Sequence, residues 1–253
     1  MRFSRLILVL AAALLSLSAS VALAQSSFFS AHHVTELDDD SFAPAVGSDN
    51  ALTYVAFYSR SKCPKCKPLR DTFDRVAKEL HGQAVFASVD AADPESAAAL
   101  AAAGVTAADL PVVKVFSHGH PKEGEKLDAS ALTAKSLREG VHAQLEKLSR
   151  VVKVTNSNFK KLVKDAPADM GKALLFTSKK ETMPTWAALS LNMKDRLFVG
   201  EVHKSDKKLV KKFDISDFPA IVVIPPTPAG GKFDDQVCVP EHSKIYIHDI
   251  SEF

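Results

Sequence analysis

An apolar strand that leads into two closely spaced cysteines constrains the fold of this chain more than any other feature. Residues Leu52 to Tyr58 are uncharged and rich in β-branched and aromatic side chains, which is typical of a strand covered on both faces of a sheet. Cys63-Pro64-Lys65-Cys66 follows, and the apolar residues from Cys66 to Leu80 recur at helical spacing. The segment therefore predicts an α/β domain with helices on both faces of its sheet.

The order of predicted elements occurs twice along the chain of 253 residues. Each half shows strand, helix, strand, helix, strand, helix and then a strand with proline at its head, Pro111 to Phe116 in the first half and Phe218 to Ile224 in the second. In the first half, the last of these helices is predicted over Glu95 to Ala103, and a further helix over Ser130 to Leu148. Proline is tolerated at the first residue of a strand, and an internal repeat of about a hundred residues matches the usual size of a domain. We predict two tandem domains joined near Arg150, each with a central mixed or parallel sheet.

The first 24 residues have the pattern of a secretory signal. Arg2 and Arg5 precede the apolar run Leu6 to Leu15, and Ala22-Leu23-Ala24 supplies small residues for cleavage. The run is too short to span a bilayer as a helix, although a membrane anchor is the alternative interpretation. We therefore assign residues 1–24 to a signal peptide, 25–150 to the first domain and 151–253 to the second, and expect no stable membrane span.

The cysteine count and the net charge narrow the function classes. A net charge of +2 and the lack of a basic stripe argue against a nucleic-acid partner. Secretory compartments allow disulfides to persist, yet the chain holds only Cys63, Cys66 and Cys238. Two cysteines at such short spacing close too small a loop to staple a fold, so they need a chemical explanation.

That explanation is a redox-active dithiol at the start of a helix. The partial positive charge and free amides of a helix N-terminus stabilise a thiolate and lower its pKa. Lys62, Lys65 and Lys67 are expected to act in the same direction. Cys63 would then be the attacking sulfur and Cys66 the resolving one, with a reversible Cys63–Cys66 disulfide and no metal or organic cofactor.

Two other interpretations of the cysteine pair remain open. The pair could be half of a structural zinc site, for which His118 and His120 would be the other candidate ligands. It could also be an inert disulfide. Cys238 has no partner in the sequence pattern and is interpreted as a free or buried thiol of the second domain.

The chain resembles the thioredoxin superfamily, and more closely the protein disulfide isomerase family of the endoplasmic reticulum. The resemblance rests on the segments Leu37 to Phe42, Val55 to Tyr58 with the cysteine motif, Ser88-Val89-Asp90, Leu110 to Phe116, Leu174 to Thr177, Phe198 to Val202 and Phe218-Pro219-Ala220. It implies two thioredoxin-like domains, the first redox-active and the second inactive. No cysteine lies near Lys180 to Met183, where a second motif would fall. Independently of the resemblance, the predicted topology brings Pro111 near the cysteine pair, and we expect a cis Leu110–Pro111 bond that leaves backbone groups free to pair with an extended substrate.

The sequence departs from the family pattern around the motif. Lys62 replaces a tryptophan, Pro64-Lys65 replaces Gly-His, and Ala56 stands where the family often has a buried acid. These departures leave thiolate activation intact but put proton transfer to Cys66 in doubt. The C-terminal residues are not a Lys-Asp-Glu-Leu type retention signal.

We interpret the chain as a thiol–disulfide oxidoreductase that assists oxidative folding in the endoplasmic reticulum lumen, with a secreted location as the alternative. Its expected partners are folding secretory polypeptides with cysteines, and a redox partner such as glutathione or an oxidase. The alternative function is a non-catalytic, chaperone-like or scaffold binding protein of the same fold.

Overall fold

The structure is a computed structural model that describes residues 28–30, 32–61, 63–117, 124–129, 131–165, 167 and 169–226. The predicted signal peptide, Lys62, His118, His120 and Cys238 lie outside the described residues. Among the helices that are described, none is both long enough and apolar enough to cross a membrane.

The first half of the chain forms a five-stranded sheet of order β1-β3-β2-β4-β5. β2 pairs in parallel with β3 and antiparallel with β4, so the sheet is mixed. Its elements are β1 (Thr35–Glu36), α1 (Asp39–Val46), β2 (Thr53–Tyr58), α2 (Cys66–Glu79), β3 (Val85–Asp90), α3 (Ala97–Ala102), β4 (Val112–Phe116), β5 (Glu125–Asp128) and α4 (Ala134–Leu148).

The second half forms a separate four-stranded sheet with the same strand order, β6-β8-β7-β9. Its elements are β6 (Val152–Lys153), α5 (Phe159–Asp165), β7 (Gly171–Thr177), α6 (Pro184–Asn192), β8 (Leu197–His203), α7 (Lys207–Lys212) and β9 (Ala220–Ile224). A counterpart of β5 is absent from the described residues, which end at 226. The repeat and the mixed α/β fold predicted from the sequence are confirmed.

Capping residues decide where several helices begin, and two predicted boundaries were wrong. The helix predicted from Ser130 begins at Ala134, because the Thr133 hydroxyl accepts a hydrogen bond from the amide of Ser136 at 3.1 Å. The helix predicted over Glu95 to Ala103 is divided. A 3₁₀ turn at Pro94–Ser96 precedes the short α3.

The central strand β2 is buried along its whole length, as predicted. Its side chains alternate between two cores, since successive residues of a strand point to opposite faces. Tyr54, Ala56 and Tyr58 join the core under α2 and α4, whereas Val55 and Phe57 join the core under α1 and α3. This strand therefore anchors the residues that follow it.

The two halves share part of one core through α6. Ala187, Ala188 and Leu191 of α6 belong to the same cluster of buried residues as α2 and α4. Beside this contact, the Asn192 side-chain amide donates to the carbonyl of Gly82 at 3.1 Å. The cysteine-bearing unit is thus packed directly against the second unit.

Candidate active site

The cysteine motif lies between the end of β2 and the start of α2. Cys63 and Cys66 form a disulfide with an S–S distance of 2.06 Å and a Cα–Cα distance of 5.4 Å. The amide of Cys66 also donates to the carbonyl of Cys63 at 3.1 Å, which closes the turn between them. The sequence interpretation placed both cysteines on the first helical turn, but α2 begins at Cys66 and Cys63 precedes it.

The two sulfur-bearing residues differ in exposure. Cys66 is completely buried in the core under α2, whereas Cys63 is only partly buried against that core. Lys65 occupies the N-cap of α2, and its side chain makes no capping hydrogen bond. The side chain of the N-cap residue therefore satisfies none of the first-turn amides of α2. The roles of Cys63 as attacking and Cys66 as resolving thiol stay predictions that this asymmetry favours.

The environment below Cys66 is apolar. Ala56 is fully buried on the face of β2 that contributes to the same core as Cys66. It pairs with Val113 on β4 and with Ser88 on β3. The side chain at this position therefore supplies no carboxylate, in keeping with the departure noted in the sequence.

A cis peptide bond links Leu110 to Pro111, as predicted, and a second links Phe218 to Pro219. Pro111 directly precedes β4, and the first residue of β4, Val112, pairs with Phe57 of β2. This register brings the segment before β4 to the end of β2 that leads to the cysteines. The strand predicted to begin at Pro111 begins at Val112 instead.

Cys63 and Leu110 line the same open pocket, whose volume is about 570 Å³. The pocket is formed by the loops after β2 and β3 and by the segment before β4. Its lining residues are Ser59, Ser61, Cys63, Pro64, Lys65, Ala91, Ala92, Ala107 and Leu110. Most of these side chains are small or apolar, so the accessible cysteine lies at the edge of a largely uncharged cavity.

Asp90, at the end of β3, holds one side of this pocket. Its Oδ1 accepts hydrogen bonds from the amide of Arg60 at 3.2 Å and from the amide of Ala92 at 2.9 Å. Its Oδ2 lies 3.4 Å from Nε of Arg60. The carboxylate thus ties the loop that precedes Cys63 to the loop that follows β3.

The guanidinium of Arg60 continues this network towards β1. Nη2 of Arg60 donates to Oε1 of Glu36 at 3.1 Å, and the Tyr58 hydroxyl donates to the same oxygen at 3.0 Å. Burial raises the pKa of Tyr58, and the neighbouring charge of Glu36 acts in the same direction. Tyr58 therefore remains a neutral hydrogen-bond donor at physiological pH.

A second network holds the opposite side of the pocket. Asp109 accepts from the amide and hydroxyl of Thr106, at 3.0 and 2.6 Å, and from Nζ of Lys126 at 2.6 Å. The bond from Lys126, followed by those from Thr106, lowers the pKa of Asp109. The 3₁₀ turn Ala107–Asp109 is therefore fixed between Thr106 and β5.

The structure brings only some of the predicted site residues to the pocket. Pro64, Lys65 and Leu110 line it, whereas Lys67 is exposed on α2 and is not part of the lining. Sequence analysis missed Arg60 and Asp109, because their side-chain partners Asp90, Glu36 and Lys126 lie 17 to 30 positions away along the chain. In the described part of the chain, no group of three or more His, Cys, Asp or Glu residues could hold a metal ion.

The corresponding position of the second unit carries a different set of residues. The residues before α6, where a second motif would fall, contain no cysteine. Glu201 of β8 is buried there, and its Oε2 accepts from the Thr182 hydroxyl at 2.8 Å and lies 3.0 Å from Nζ of Lys153. At this edge of the second sheet the dithiol is replaced by a buried carboxylate, which pairs with the exposed Lys153 and accepts from a hydroxyl.

Comparisons with known proteins agree with this architecture. The chain is 28% identical over 221 residues to a Dictyostelium discoideum protein assigned as a protein disulfide-isomerase, covering 85% of this chain and 51% of that protein. It is 25% identical over 229 residues to protein disulfide-isomerase 2-3 of Arabidopsis thaliana, covering 81% of this chain and 51% of that protein. The chain thus spans about half the length of these relatives.

Solved structures show the same fold. The crystal structure of ERdj5 form II superposes with a TM-score of 0.63 at 22% identity, covering 87% of this chain and 28% of that chain. The sequence profile of the family described as Thioredoxin matches residues 33–142, which contain both cysteines and the cis-proline. The first unit of this chain, with its Cys63–Cys66 pair, is therefore similar to the family described as Thioredoxin and has the same fold as the solved structure.

Proposed function

We propose that this chain is a thiol–disulfide oxidoreductase of the protein disulfide isomerase type, acting through Cys63 and Cys66. The observation that carries the proposal is the disulfide between a partly buried sulfur at the edge of a pocket and a fully buried one. An exchanging pair needs one sulfur that a substrate can reach and a second that substrates cannot reach. The relatives named as protein disulfide-isomerases support the same activity.

The reaction can be written with the residues of this site. A substrate thiolate attacks Sγ of Cys63, the Cys63–Cys66 bond breaks, and the electron pair leaves on Sγ of Cys66. A second substrate thiolate then attacks the substrate sulfur of the mixed disulfide and expels Cys63 as a thiolate. Two substrate thiols are thereby oxidised to a disulfide, and the protein pair is reduced. An oxidant such as glutathione disulfide or an oxidase must then reoxidise it.

The domain organisation, the substrates and the cellular location are also part of the proposal. We assign residues 1–24 to a signal peptide, 25–150 to the redox-active domain and 151–253 to the redox-inactive one. The signal-like N-terminus and the kind of relatives support action on folding secretory polypeptides in the endoplasmic reticulum lumen. Secretion beyond that compartment is the alternative location.

The first experiment is a redox titration of the full chain in glutathione buffers, with the pKa of Cys63 measured by thiol alkylation. A potential near about −180 mV and a thiol pKa below about 8.5 are expected for an oxidase or isomerase. The Cys66→Ser variant should accumulate a mixed disulfide with a disulfide-containing polypeptide, because the Cys63 thiolate attacks that disulfide, expels one substrate thiolate and has no resolving thiol beside it, whereas Cys63→Ser should not. A potential below about −300 mV with an unreactive thiol would contradict the proposal.

A non-catalytic binding protein is the second candidate, and one observation favours it. Ala56 places a methyl group, and no proton acceptor, in the core beside Cys66. A thiol buried among apolar groups has a raised pKa, so Cys66 would resolve mixed disulfides slowly. This candidate predicts that the wild-type chain binds unfolded polypeptides but turns over no disulfides under any glutathione ratio.

A further inference from the structure

An open pocket of about 500 Å³ lies at the edge of the second sheet, where β6, β7 and β8 end. Its ionisable side chains comprise three lysines, one histidine and two carboxylates, which are Lys153, Lys179, Lys180, His203, Glu201 and Asp206. The volume is within the range of pockets that hold small ligands or side chains. The dithiol lies in the first unit, and the proposed exchange reaction does not use this pocket.

Strand register shows which residues of the two units correspond at this edge of the sheet. The pairing of β2 with β3 ends at Asp90, and the pairing of β7 with β8 ends at His203. Arg60 and Lys179 each lie two residues beyond the end of the neighbouring strand, β2 or β7. His203 therefore corresponds to Asp90, and Lys179 corresponds to Arg60.

The outer strands extend this correspondence between the units. On β1, Glu36 pairs with the residue two positions before Asp90. On β6, Lys153 pairs with Glu201, which lies two positions before His203. Lys153 therefore corresponds to Glu36.

These exchanges reverse the charge around the central cation. In the first unit, a carboxylate occupies each of the two positions beside Arg60, and both contact its guanidinium, at 3.1 and 3.4 Å. In the second unit, Lys153 and His203 occupy the corresponding positions, and neither can neutralise Lys179. The same corner of the fold thus carries its own counter-charges in the first unit and is basic in the second.

The two carboxylates that line the pocket of the second unit are already engaged elsewhere. Glu201 is buried, accepts from a threonine hydroxyl at 2.8 Å and lies 3.0 Å from Nζ of Lys153. Asp206 accepts from the amides of Asn156 at 2.6 Å and of Leu209 at 3.1 Å. Neither carboxylate is left to balance a further lysine.

Lys179 and Lys180 supply the charge that an external ligand would meet. Both residues are exposed, and in the part of the chain that the structure describes no carboxylate forms an ion pair with either. A lysine ammonium is a flexible point charge that attracts a carboxylate without demanding a fixed geometry. A ligand with several carboxylates in a row can therefore engage both lysines.

An acidic polypeptide fits this pocket better than a free phosphate does. Phosphate sites use free amides at a helix N-terminus, whereas the Asp206 carboxylate already caps the start of α7 at this edge. A phosphate at that position would meet a negative charge at close range. An extended acidic segment can instead cross the open pocket and place its carboxylates on Lys179 and Lys180.

We infer that the pocket of the second unit is a binding site for acidic polypeptide segments, with Lys179, Lys180 and His203 as its recognition residues. The inference goes beyond the proposed function, because the contact is non-covalent and uses neither Cys63 nor Cys66. It gives the unit without a dithiol a role in holding polypeptides that carry runs of Asp and Glu. Sequence analysis did not single out these residues, because their lack of counter-charges depends on strand register.

The test measures binding of rhodamine-labelled hexaglutamate and hexaglutamine to the oxidised full chain by fluorescence anisotropy. Neither peptide contains cysteine, so disulfide exchange does not contribute to the signal. At an ionic strength of about 0.1 M, hexaglutamate should bind at least about tenfold more tightly than hexaglutamine. This preference should disappear at about 1 M, where the Debye length is about 3 Å. Equal affinities at the lower ionic strength would overturn the inference.

Two variants remove the attraction in different ways. Lys179→Glu combined with Lys180→Glu reverses the exposed charges and should weaken hexaglutamate binding at least about tenfold, since like charges repel. His203→Asp restores the carboxylate that the first unit has at this position, so it should pair with Lys179 and weaken binding at least about threefold. Far-ultraviolet circular dichroism checks that both variants are folded. Wild-type affinity in both folded variants would contradict the assignment of these residues.

The matched control is Arg196→Glu combined with Lys78→Glu, which changes the net charge by the same amount as the double lysine variant. Both residues are exposed and lie outside the pocket. Arg196 precedes β8 and His203 ends it, so they are about 23 Å apart along the strand, beyond the Debye length of about 10 Å. This control should bind hexaglutamate within about twofold of the wild type. A loss equal to that of the pocket variant would reveal a response to net charge alone and would overturn the inference.

Two further measurements separate this pocket from other ligands and sites. Millimolar inorganic phosphate at constant ionic strength should not displace hexaglutamate, and displacement would identify a small-anion site in place of a polypeptide site. Cys63→Ser should bind hexaglutamate as the wild type does, whether or not the oxidoreductase proposal holds. Loss of binding in this variant would place the peptide at the dithiol and refute the assignment to the second unit.

Discussion

Replacement of Asp90 tests whether the loop before Cys63 is held by individual carboxylate bonds. The Asp90 side chain is 9% exposed, and its two oxygens have different partners. Oδ1 accepts from the amides of Arg60 and Ala92, and Oδ2 faces the Arg60 guanidinium. Asp90→Ala removes all of these contacts, whereas Asp90→Asn keeps a neutral oxygen for the two amides.

The expected decrease in the free energy of unfolding follows from those contacts. A hydrogen bond to a charged group contributes about 1.5 to 3 kcal/mol, and the Arg60 side chain is 31% exposed, so the ion pair itself adds less than about 1 kcal/mol. Asp90→Ala should therefore lower the free energy of unfolding by about 3 kcal/mol, at the low end for two such bonds. Asp90→Asn should lower it by about 1 to 2 kcal/mol, and Arg60→Ala by about 1 kcal/mol or less.

The assay is urea unfolding of the oxidised chain, followed by far-ultraviolet circular dichroism and linear extrapolation to water. Alkylation of Cys63 in the reduced protein reports separately whether the loop has loosened. The reasoning would be refuted if the alanine and asparagine variants lost the same stability, or if Asp90→Ala lost less than Arg60→Ala. Either result would mean that the two amide bonds do not hold the loop.

Further predictions concern the shared core and the second network around the pocket. Leu191→Ala, at a site 2% exposed where α6 enters the core of the first unit, should cost about 2 to 5 kcal/mol in urea unfolding. The urea midpoints measured by Trp186 fluorescence and by cysteine accessibility should both decrease by the same amount. Different decreases would argue against a common core. The lowered pKa of Asp109 means that its stabilising contribution is present above the ordinary aspartate pKa of 3.8 and is lost as pH falls through the pKa of the folded protein. Carboxyl NMR should therefore show a midpoint for Asp109 below 3.8 that rises in Lys126→Ala, and an unchanged midpoint would exclude the Lys126 contact.

Much of the fold could be predicted because its signals are local. The uncharged run in β2, the helical spacing after Cys66 and the repeated element order each depend on residues close in sequence, and all three predictions agree with the structure. Boundaries were predicted less well where two capping residues compete. Ser130 and Thr133 are both suitable caps, and the bond from Ser136 to Thr133 decides the start of α4.

The sequence by itself determined that a dithiol follows a buried strand and lies at the start of a helix, because a strand pattern and a cysteine spacing are properties of adjacent residues. Only the tertiary structure decided what surrounds the dithiol. Asp90 accepts from the amide of Arg60 across 30 positions of the chain, and Lys126 of β5 donates to Asp109 in the 3₁₀ turn. Such contacts depend on strand register and on which loops meet at one edge of the sheet. The pocket beside Cys63 therefore exists only once the sheet has formed.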